Sequence, residues 1–194
     1  MKKNLFILTV YTITLLFSLT VTAQTKTVIL TAGQSNTAGR CDNANLPDYI
    51  QALGPAYQYC NWSYTNAANR KAAYEGVFRK FWPERENGKG QFAYDAIVYY
   101  HIEKALQQDF YVVKHAMGGT SIDPTCQSTH DNHWSADSTW LAENTSANED
   151  GHSMLKAFVS NIGRSLDTIM AKGETPDIKC MLWHQGESDR SGSG

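Results

Sequence analysis

The chain has 194 residues, of which 42% are hydrophobic and 19% are charged. Its first 23 residues differ from the rest, because an apolar run from Leu5 follows two lysines and contains no acidic residue. This run ends in the small-residue pattern Val21–Ala23, which predicts a secretory signal peptide over residues 1–23, cleaved near Ala23. We therefore expect a secreted or periplasmic protein. The alternative, an uncleaved membrane anchor, is disfavoured by the threonines in the run and by its small-residue end.

Without the signal peptide, 171 residues remain, with 15 basic and 19 acidic side chains and a formal net charge of −4. This charge argues against a basic face that binds nucleic acid. The length suits one domain, over residues 24–194, with a substantial core. Four cysteines permit disulfides in an exported chain but do not require them. A Cys41–Cys60 pair is one option, and Cys180, inside an apolar run, is expected to be a buried free thiol.

Apolar and β-branched runs alternate along the chain with stretches of helical periodicity. In chain order, the predicted elements are a strand at 27–32, short strands near 57–64 and 77–82 in an otherwise irregular region, a helix at 92–107, a strand at 110–114, a polar loop region at 120–151, a helix at 155–170 and a strand at 178–183. Strands that alternate with helices form parallel sheets with helices packed on their faces. The sequence thus predicts an α/β fold.

Three stretches rich in glycine and small polar residues each follow the end of a predicted strand: residues 33–39, 118–121 and 183–189. Because the carboxyl ends of parallel strands meet at one sheet edge, we expect these stretches to lie together. Ser35 can present a hydroxyl there, and Gln185 can stabilise a developing oxyanion with a neutral amide.

These motifs are GQSN at 33–36, GGTS at 118–121 and WHQGES at 183–188. Together they resemble the SGNH hydrolase superfamily, and within it the sialate O-acetylesterases and acetylxylan-esterase-like carbohydrate esterases. The resemblance covers nearly all of the chain after the signal peptide. It implies a three-layer α/β/α sandwich with a five-stranded parallel sheet of the flavodoxin-like kind. It also implies a serine esterase that removes O-acetyl groups from acetylated carbohydrates and needs no metal or organic cofactor.

The same resemblance assigns a role to individual residues. Ser35 would be the nucleophile. The oxyanion hole would consist of the Ser35 N–H, a glycine N–H (Gly119 before Gly118) and the Gln185 side chain. The other residues expected to shape the pocket are Gln34, Asn36, Gly118, Thr120 and Glu187.

One part of the family's pattern is missing from this sequence. The general base of the family is a histidine in a D-x-x-H motif downstream of the third motif, and none of the six histidines has an aspartate three residues before it. A serine hydroxyl needs an adjacent base to react. We therefore expect the chain to be the N-terminal part of a longer esterase, without the catalytic histidine and the last part of the fold, or else an inactive product.

Other histidines offer alternative chemistry. His130 and His133 form an H-x-x-H pattern, but without a convincing third ligand they do not predict a metal site. His115 and His184 follow predicted strands near the pocket and are alternative bases. We expect both to be packed, hydrogen-bonded side chains instead.

The second functional hypothesis is a non-catalytic carbohydrate-binding protein on the same fold. Its basis is a set of aromatic residues in irregular regions, where platforms that stack on sugars are found. These residues are Tyr57, Tyr59, Trp62, Tyr64, Trp82, Trp134 and Trp140.

Overall fold

The structure, a computed structural model, describes residues 23–65, 75–84, 90–146 and 150–191. In chain order its strands and helices are β1 (Thr25–Gly33), α1 (Ser35–Ala38), β2 (Cys41–Asp42), α2 (Asp48–Gln51), β3 (Cys60–Thr65), β4 (Arg79–Lys80), β5 (Gln91–Phe92), α3 (Tyr94–Leu106), β6 (Phe110–Ala116), α4 (Ser138–Asn144), α5 (Met154–Ala171) and β7 (Thr175–His184). Short 3₁₀ helices span Asn43–Asn45, Thr129–Asp131 and Ser188–Ser191. Apart from Ala23, the predicted signal peptide lies outside the described residues. Within the described ranges, no helix is both long and apolar enough to cross a membrane.

The main sheet has the strand order β4-β3-β6-β1-β7. Strands β3, β6, β1 and β7 are parallel to their neighbours, whereas the two-residue β4 pairs with β3 in the antiparallel sense. The predicted parallel sheet is thus confirmed except at the β4 edge. There the chain returns beside the strand it has just formed, which gives an antiparallel pair. A second, small sheet pairs β2 with β5.

Helices cover both faces of the sheet, so the predicted three-layer α/β/α sandwich is confirmed. On one face, Ala96 and Tyr99 of α3 pack in a core cluster with Ile29 of β1. On the other face, Phe158 of α5 packs in a cluster with Val28. Val28 and Ile29 are consecutive residues, and successive strand side chains project to opposite faces.

The long elements agree closely with the sequence prediction. The helix predicted at 92–107 is α3, and the helix predicted at 155–170 is α5. A hydroxyl cap begins α5, because the Ser153 side chain accepts a hydrogen bond from the Lys156 N–H. The prediction missed α1, α2 and α4, which have four, four and seven residues. Helices of one or two turns are too short to show an apolar period.

Helix α3 also buries two acidic side chains among its apolar residues. Asp95 forms an ion pair with Lys114 of β6, with Nζ and Oδ2 2.6 Å apart and both side chains almost fully buried. Glu103 accepts hydrogen bonds from the backbone N–H groups of residues 58–60, which lead into β3. These carboxylates fix α3 against the two strands beneath it.

All four cysteines are free thiols, so the Cys41–Cys60 disulfide considered above is absent. Cys60 is buried beneath α3, whereas Cys41 is exposed. The prediction that Cys180 is buried is wrong, since it is exposed on the edge strand β7. Other side chains of this strand, including Ile178 and Met181, are about half exposed as well.

The Asp95–Lys114 pair gives a prediction for stability. Asp95→Ala should lower the free energy of unfolding by about 3–5 kcal/mol, because it leaves the Lys114 charge buried without its partner. The double variant Asp95→Leu/Lys114→Met should lose much less, since no charge remains buried. Urea denaturation of the three proteins measures both effects. A loss below about 1 kcal/mol for Asp95→Ala, the value of a surface pair, would contradict this interpretation.

Candidate active site

The three sequence motifs meet at the carboxyl edge of the sheet, as predicted from the strand order. The backbone N–H of Gln34 donates to the carbonyl oxygen of His184 at 3.2 Å, and that of Met117 donates to the carbonyl oxygen of Gly33 at 3.3 Å. Position 33 has φ +151°, and a Cβ there would overlap the His184 carbonyl oxygen. Glycine at this position therefore allows the ends of β1 and β7 to approach closely.

The side-chain amide of Gln34, which is 2% exposed, joins all three motifs. Its Oε1 accepts hydrogen bonds from the Gly119 N–H at 3.2 Å and from the Ser188 hydroxyl at 3.3 Å. Its Nε2 donates to the Glu187 carboxylate. One buried side chain thus fixes the relative positions of the loops after β1, β6 and β7.

The Glu187 carboxylate accepts hydrogen bonds from two residues of the first motif, Gln34 and Asn36. The imidazole Nε2 of His184 lies 3.6 Å from the same carboxylate. Partial burial alone would raise the pKa of Glu187. Hydrogen bonds from Gln34, from its own backbone N–H and from Asn36, together with the neighbouring His184, instead bring this pKa below its ordinary value. Glu187 is therefore charged at neutral pH and holds the first motif through hydrogen bonds from Gln34 and Asn36.

Ser35 is the first residue of α1 and is partly buried. Neither its hydroxyl nor its backbone N–H makes a hydrogen bond to any described residue. A Cβ on Gly118 would lie only 3.4 Å from the Ser35 Cβ, so the glycine backbone passes directly beside the serine. In this short helix the Thr37 N–H already donates to the Gln34 carbonyl oxygen, whereas the Ser35 N–H, at the start of the helix, has no such partner.

The two glycines of the second motif differ in their surroundings. Gly119 has φ +74°, a Cβ there would overlap the Thr129 hydroxyl, and its N–H is already bonded to Gln34. Gly118 lies beside Ser35, and its N–H makes no hydrogen bond within the described residues. Of the two glycines, Gly118 is therefore the one whose N–H can donate to a ligand without first losing a hydrogen bond.

Gln185 and Thr120 connect the third motif to the second. The Gln185 Nε2 donates to the Thr120 carbonyl oxygen at 2.7 Å, which leaves its second hydrogen for another acceptor. The Gln185 Oε1 is buried and has no partner in the described part of the chain. The Thr120 side chain is fully buried and bonds to the Met117 carbonyl oxygen and to the Trp134 indole.

All six histidines lie in the described ranges, and none of them hydrogen-bonds to Ser35. His115 is fully buried, with its Nδ1 2.8 Å from the Thr65 hydroxyl, as expected of a packed residue. His184 is about half exposed and lies edge-on against Tyr94. It is therefore less packed than expected.

The H-x-x-H pattern is divided between the surface and the interior. His130 is exposed, whereas His133 is buried with its Nδ1 2.7 Å from the Ser121 hydroxyl. Burial lowers the pKa of the His133 imidazole, although the nearby negative charge of Asp131 acts in the opposite direction. The neutral ring is therefore favoured. Within the described residues, no group of three or more His, Cys, Asp or Glu side chains is arranged to hold a metal ion.

Two residues near the site were given no individual role from the sequence, although Asp189 belongs to the third predicted stretch. Asp189 accepts hydrogen bonds from the N–H groups of Ile122 and Asp123 at 2.8 and 2.7 Å, so it holds the loop that follows the second motif. The Arg40 guanidinium lies against Gly118, where a Cβ would overlap it. For Arg40 the only sequence signal is a charge next to the first stretch.

A polar cavity of about 250 Å³ adjoins the second motif. Its lining consists of Gly119, Gln127, Ser128, Thr129 and Ser188. Hydroxyl and amide groups of this kind both donate and accept hydrogen bonds, so the lining suits a polar ligand. The volume is below the roughly 300–1,000 Å³ of pockets for drug-sized ligands.

The aromatic residues proposed as sugar platforms mostly serve the core. Tyr57, Trp62 and Trp134 are buried, and Tyr57 and Trp62 each pack edge-on against Phe81. The other four residues of the set, Tyr59, Tyr64, Trp82 and Trp140, are only partly exposed. Their positions give little support to a stacking platform.

The family model described as "carbohydrate esterase, sialic acid-specific acetylesterase" matches residues 25–193, and the chain belongs to this family. Among solved structures it is similar to a protein from Arabidopsis thaliana, with a TM-score of 0.48 and 17% identity over 84% of this chain and 58% of that one. It is also similar to a carbohydrate acetylesterase from Xanthomonas citri, with a TM-score of 0.39 and 17% identity over 83% of this chain and 32% of that one. The chain thus spans less than two thirds of either structure. No curated protein sequence matches it.

The lowered pKa of Glu187 predicts how the site responds to acid. The pKa of Glu187 in the folded protein lies below its ordinary value. At a pH above the ordinary value, Glu187 is therefore charged and stabilises the site, and this stabilisation is lost as the pH falls through the lowered pKa. The NMR signals of the Gln34 side-chain amide should therefore shift in that acidic range, and Glu187→Gln should abolish the shift. The amide of Gln51, which donates to the Leu46 carbonyl oxygen, is the internal control. A Gln34 transition above the ordinary glutamate pKa would contradict the assignment.

Proposed function

We propose that this chain carries the nucleophile and oxyanion hole of an exported serine esterase that removes O-acetyl groups from sugars. The observation that carries the proposal is the position of Ser35, whose hydroxyl and N–H have no partner in the described residues, beside the backbone of Gly118. Membership of a carbohydrate esterase family supports the substrate class. Export rests on the predicted signal peptide.

In the proposed reaction, the Ser35 Oγ attacks the acetyl carbonyl carbon while a general base takes its proton. The carbonyl oxygen becomes an oxyanion stabilised by the Ser35 N–H, a glycine N–H and the Gln185 amide. Collapse of this intermediate transfers the proton to the departing sugar oxygen and leaves an acetyl-enzyme. Water then attacks the acetyl group, with the base again taking a proton, and acetate is released.

The glycine donor follows from the contacts of the two candidates. Gly119 can donate to an oxyanion only after its N–H leaves the Gln34 Oε1. Gly118 needs no such rearrangement, because its N–H has no partner in the described residues. We therefore infer that Gly118 donates and that Gly119 holds the loop in place through Gln34.

The described residues do not supply a histidine that could act as the general base of this reaction. His115 is buried against Thr65, and His184 lies beside Glu187, so neither is positioned at the Ser35 hydroxyl. We propose that the catalytic histidine belongs to a segment beyond the 194 residues of this sequence. Because none of the histidines in the described ranges is bonded to Ser35, a binding role without turnover is the alternative for these residues alone.

Substitution of the nucleophile separates these two functions. In the product of the complete reading frame, Ser35→Ala should lower kcat/KM for an O-acetylated sugar by about 10⁴–10⁶-fold. Acetate release is the measurement, and Ser138→Ala, which changes an exposed serine on α4, is the matched control. Sugar binding without acetate release from the unsubstituted protein would favour the binding role. Rapid hydrolysis by the 194-residue chain would contradict the missing base.

The oxyanion hole has its own test. Gln185→Ala should lower kcat by about 10²–10³-fold with little change in KM, because the amide is needed mainly when charge develops on the carbonyl oxygen. Steady-state kinetics on the same ester separate the two parameters. A large increase in KM with unchanged kcat would instead assign Gln185 to ground-state binding.

A further inference from the structure

The polar cavity beside the second motif lies next to the candidate nucleophile. Gly119 lines this cavity, and the preceding residue, Gly118, places its backbone beside Ser35. Ser188 of the third motif also lines the cavity, and its hydroxyl donates to the Gln34 side chain at 3.3 Å. The cavity is therefore bounded by the same two loops that surround the serine.

The rest of the lining is held on the second motif by hydrogen bonds. The Thr129 N–H donates to the Gly119 carbonyl oxygen at 2.8 Å, and the Ser128 hydroxyl accepts from the Ser121 N–H at 3.2 Å. The Thr129 carbonyl oxygen in turn accepts from the Asn132 side chain at 3.1 Å. These contacts fix the cavity wall in advance, which lowers the cost of ordering it around a ligand.

Two side chains of this lining are available to a ligand, those of Gln127 and Thr129. Within the described part of the chain, neither the Gln127 amide nor the Thr129 hydroxyl makes a hydrogen bond. An amide and a hydroxyl can each donate and accept. None of the five lining residues has a charged, aromatic or purely aliphatic side chain. The lining thus matches neutral hydroxyl groups rather than an ion or an apolar group.

We propose that this cavity binds neutral hydroxyl groups of the alcohol part of the ester, and that Gln127 and Thr129 determine the preference for hydroxyl-rich alcohols. This inference rests on the proposed esterase function and specifies which side of the substrate the cavity takes. An acetyl ester has an apolar methyl group on one side of the reacting carbonyl and the alcohol on the other. Only a hydroxyl-rich alcohol can form hydrogen bonds with a lining of amide and hydroxyl groups.

The test compares two esters as substrates of the complete gene product, methyl 6-O-acetyl-α-D-glucopyranoside and cyclohexylmethyl acetate. Both present a primary acetate on a six-membered ring, but only the first carries hydroxyl groups. The unsubstituted protein should hydrolyse the sugar ester with a kcat/KM at least about tenfold higher.

Gln127→Ala and Thr129→Val should each reduce this preference by about three- to tenfold. The loss should come mainly from a higher KM for the sugar ester, because hydrogen bonds to unreactive hydroxyls form equally in the ground state and the transition state. Gln108→Ala, which changes an exposed glutamine at the amino end of β6, is the matched control. Far-UV circular dichroism establishes that each variant is folded.

Three results would overturn the proposal: equal kcat/KM of the unsubstituted protein for the two esters, a preference that neither variant reduces, or an equal loss of kcat for both esters. The last result would mean that the two side chains support the catalytic loop rather than the alcohol. Failure of the esterase function would appear separately, as acetate release that does not depend on Ser35 or as no acetate release.

Binding without turnover provides a second measurement, on the 194-residue chain. The NMR signals of the Gln127 side-chain amide should shift on addition of methyl α-D-glucopyranoside, whereas those of the Gln108 amide should not. Thr129→Val should weaken this binding. Because no ester is present, an unshifted Gln127 amide would overturn the proposal whether or not the protein is an esterase.

Discussion

The arrangement of the site depends on one buried amide, the side chain of Gln34. Its Oε1 accepts from the Gly119 N–H and the Ser188 hydroxyl, while its Nε2 donates to Glu187. A side-chain amide offers an acceptor and a donor on one short planar group at any pH of interest. A carboxylate here would lose the donor and repel Glu187, and an apolar side chain would leave three polar groups without this partner. The residue next to Ser35 therefore holds the glycine loop and the third motif around this serine.

The strand order of the sheet brings together the loops that follow β1, β6 and β7. From β1 the chain goes to β3 and then to β6, on one side of β1, and it later crosses to β7 on the other side, so β1 is paired with both β6 and β7. Open α/β sheets bind ligands where the strand order reverses in this way. The Asp95–Lys114 ion pair fixes α3 to β6, and the Glu103 carboxylate fixes the end of α3 to the amino end of β3.

The sequence was informative where a feature repeats or lies within a short motif. The periods of α3 and α5, the apolar runs of β1, β6 and β7, and the motifs at their ends predicted the sandwich and the family. Features that depend on partners far along the chain were not predicted. Asp95 and Glu103 are buried because β6 and the segment before β3 supply their partners, and His133 is buried because Ser121 bonds to it. Similarly, Cys180 is in an apolar run but is exposed because β7 is an edge strand.

The central claim is that Ser35 forms the covalent intermediate of a sugar O-acetylesterase. The most direct measurement is an acid quench of the complete gene product during turnover of an O-acetylated sugar, followed by peptide mapping by mass spectrometry. The proposed mechanism predicts an acetyl group on the Ser35 hydroxyl during the steady state and none on that peptide from a Ser35→Ala variant. Acetate release with the acetyl group on another residue, or with Ser35 never modified, would contradict it.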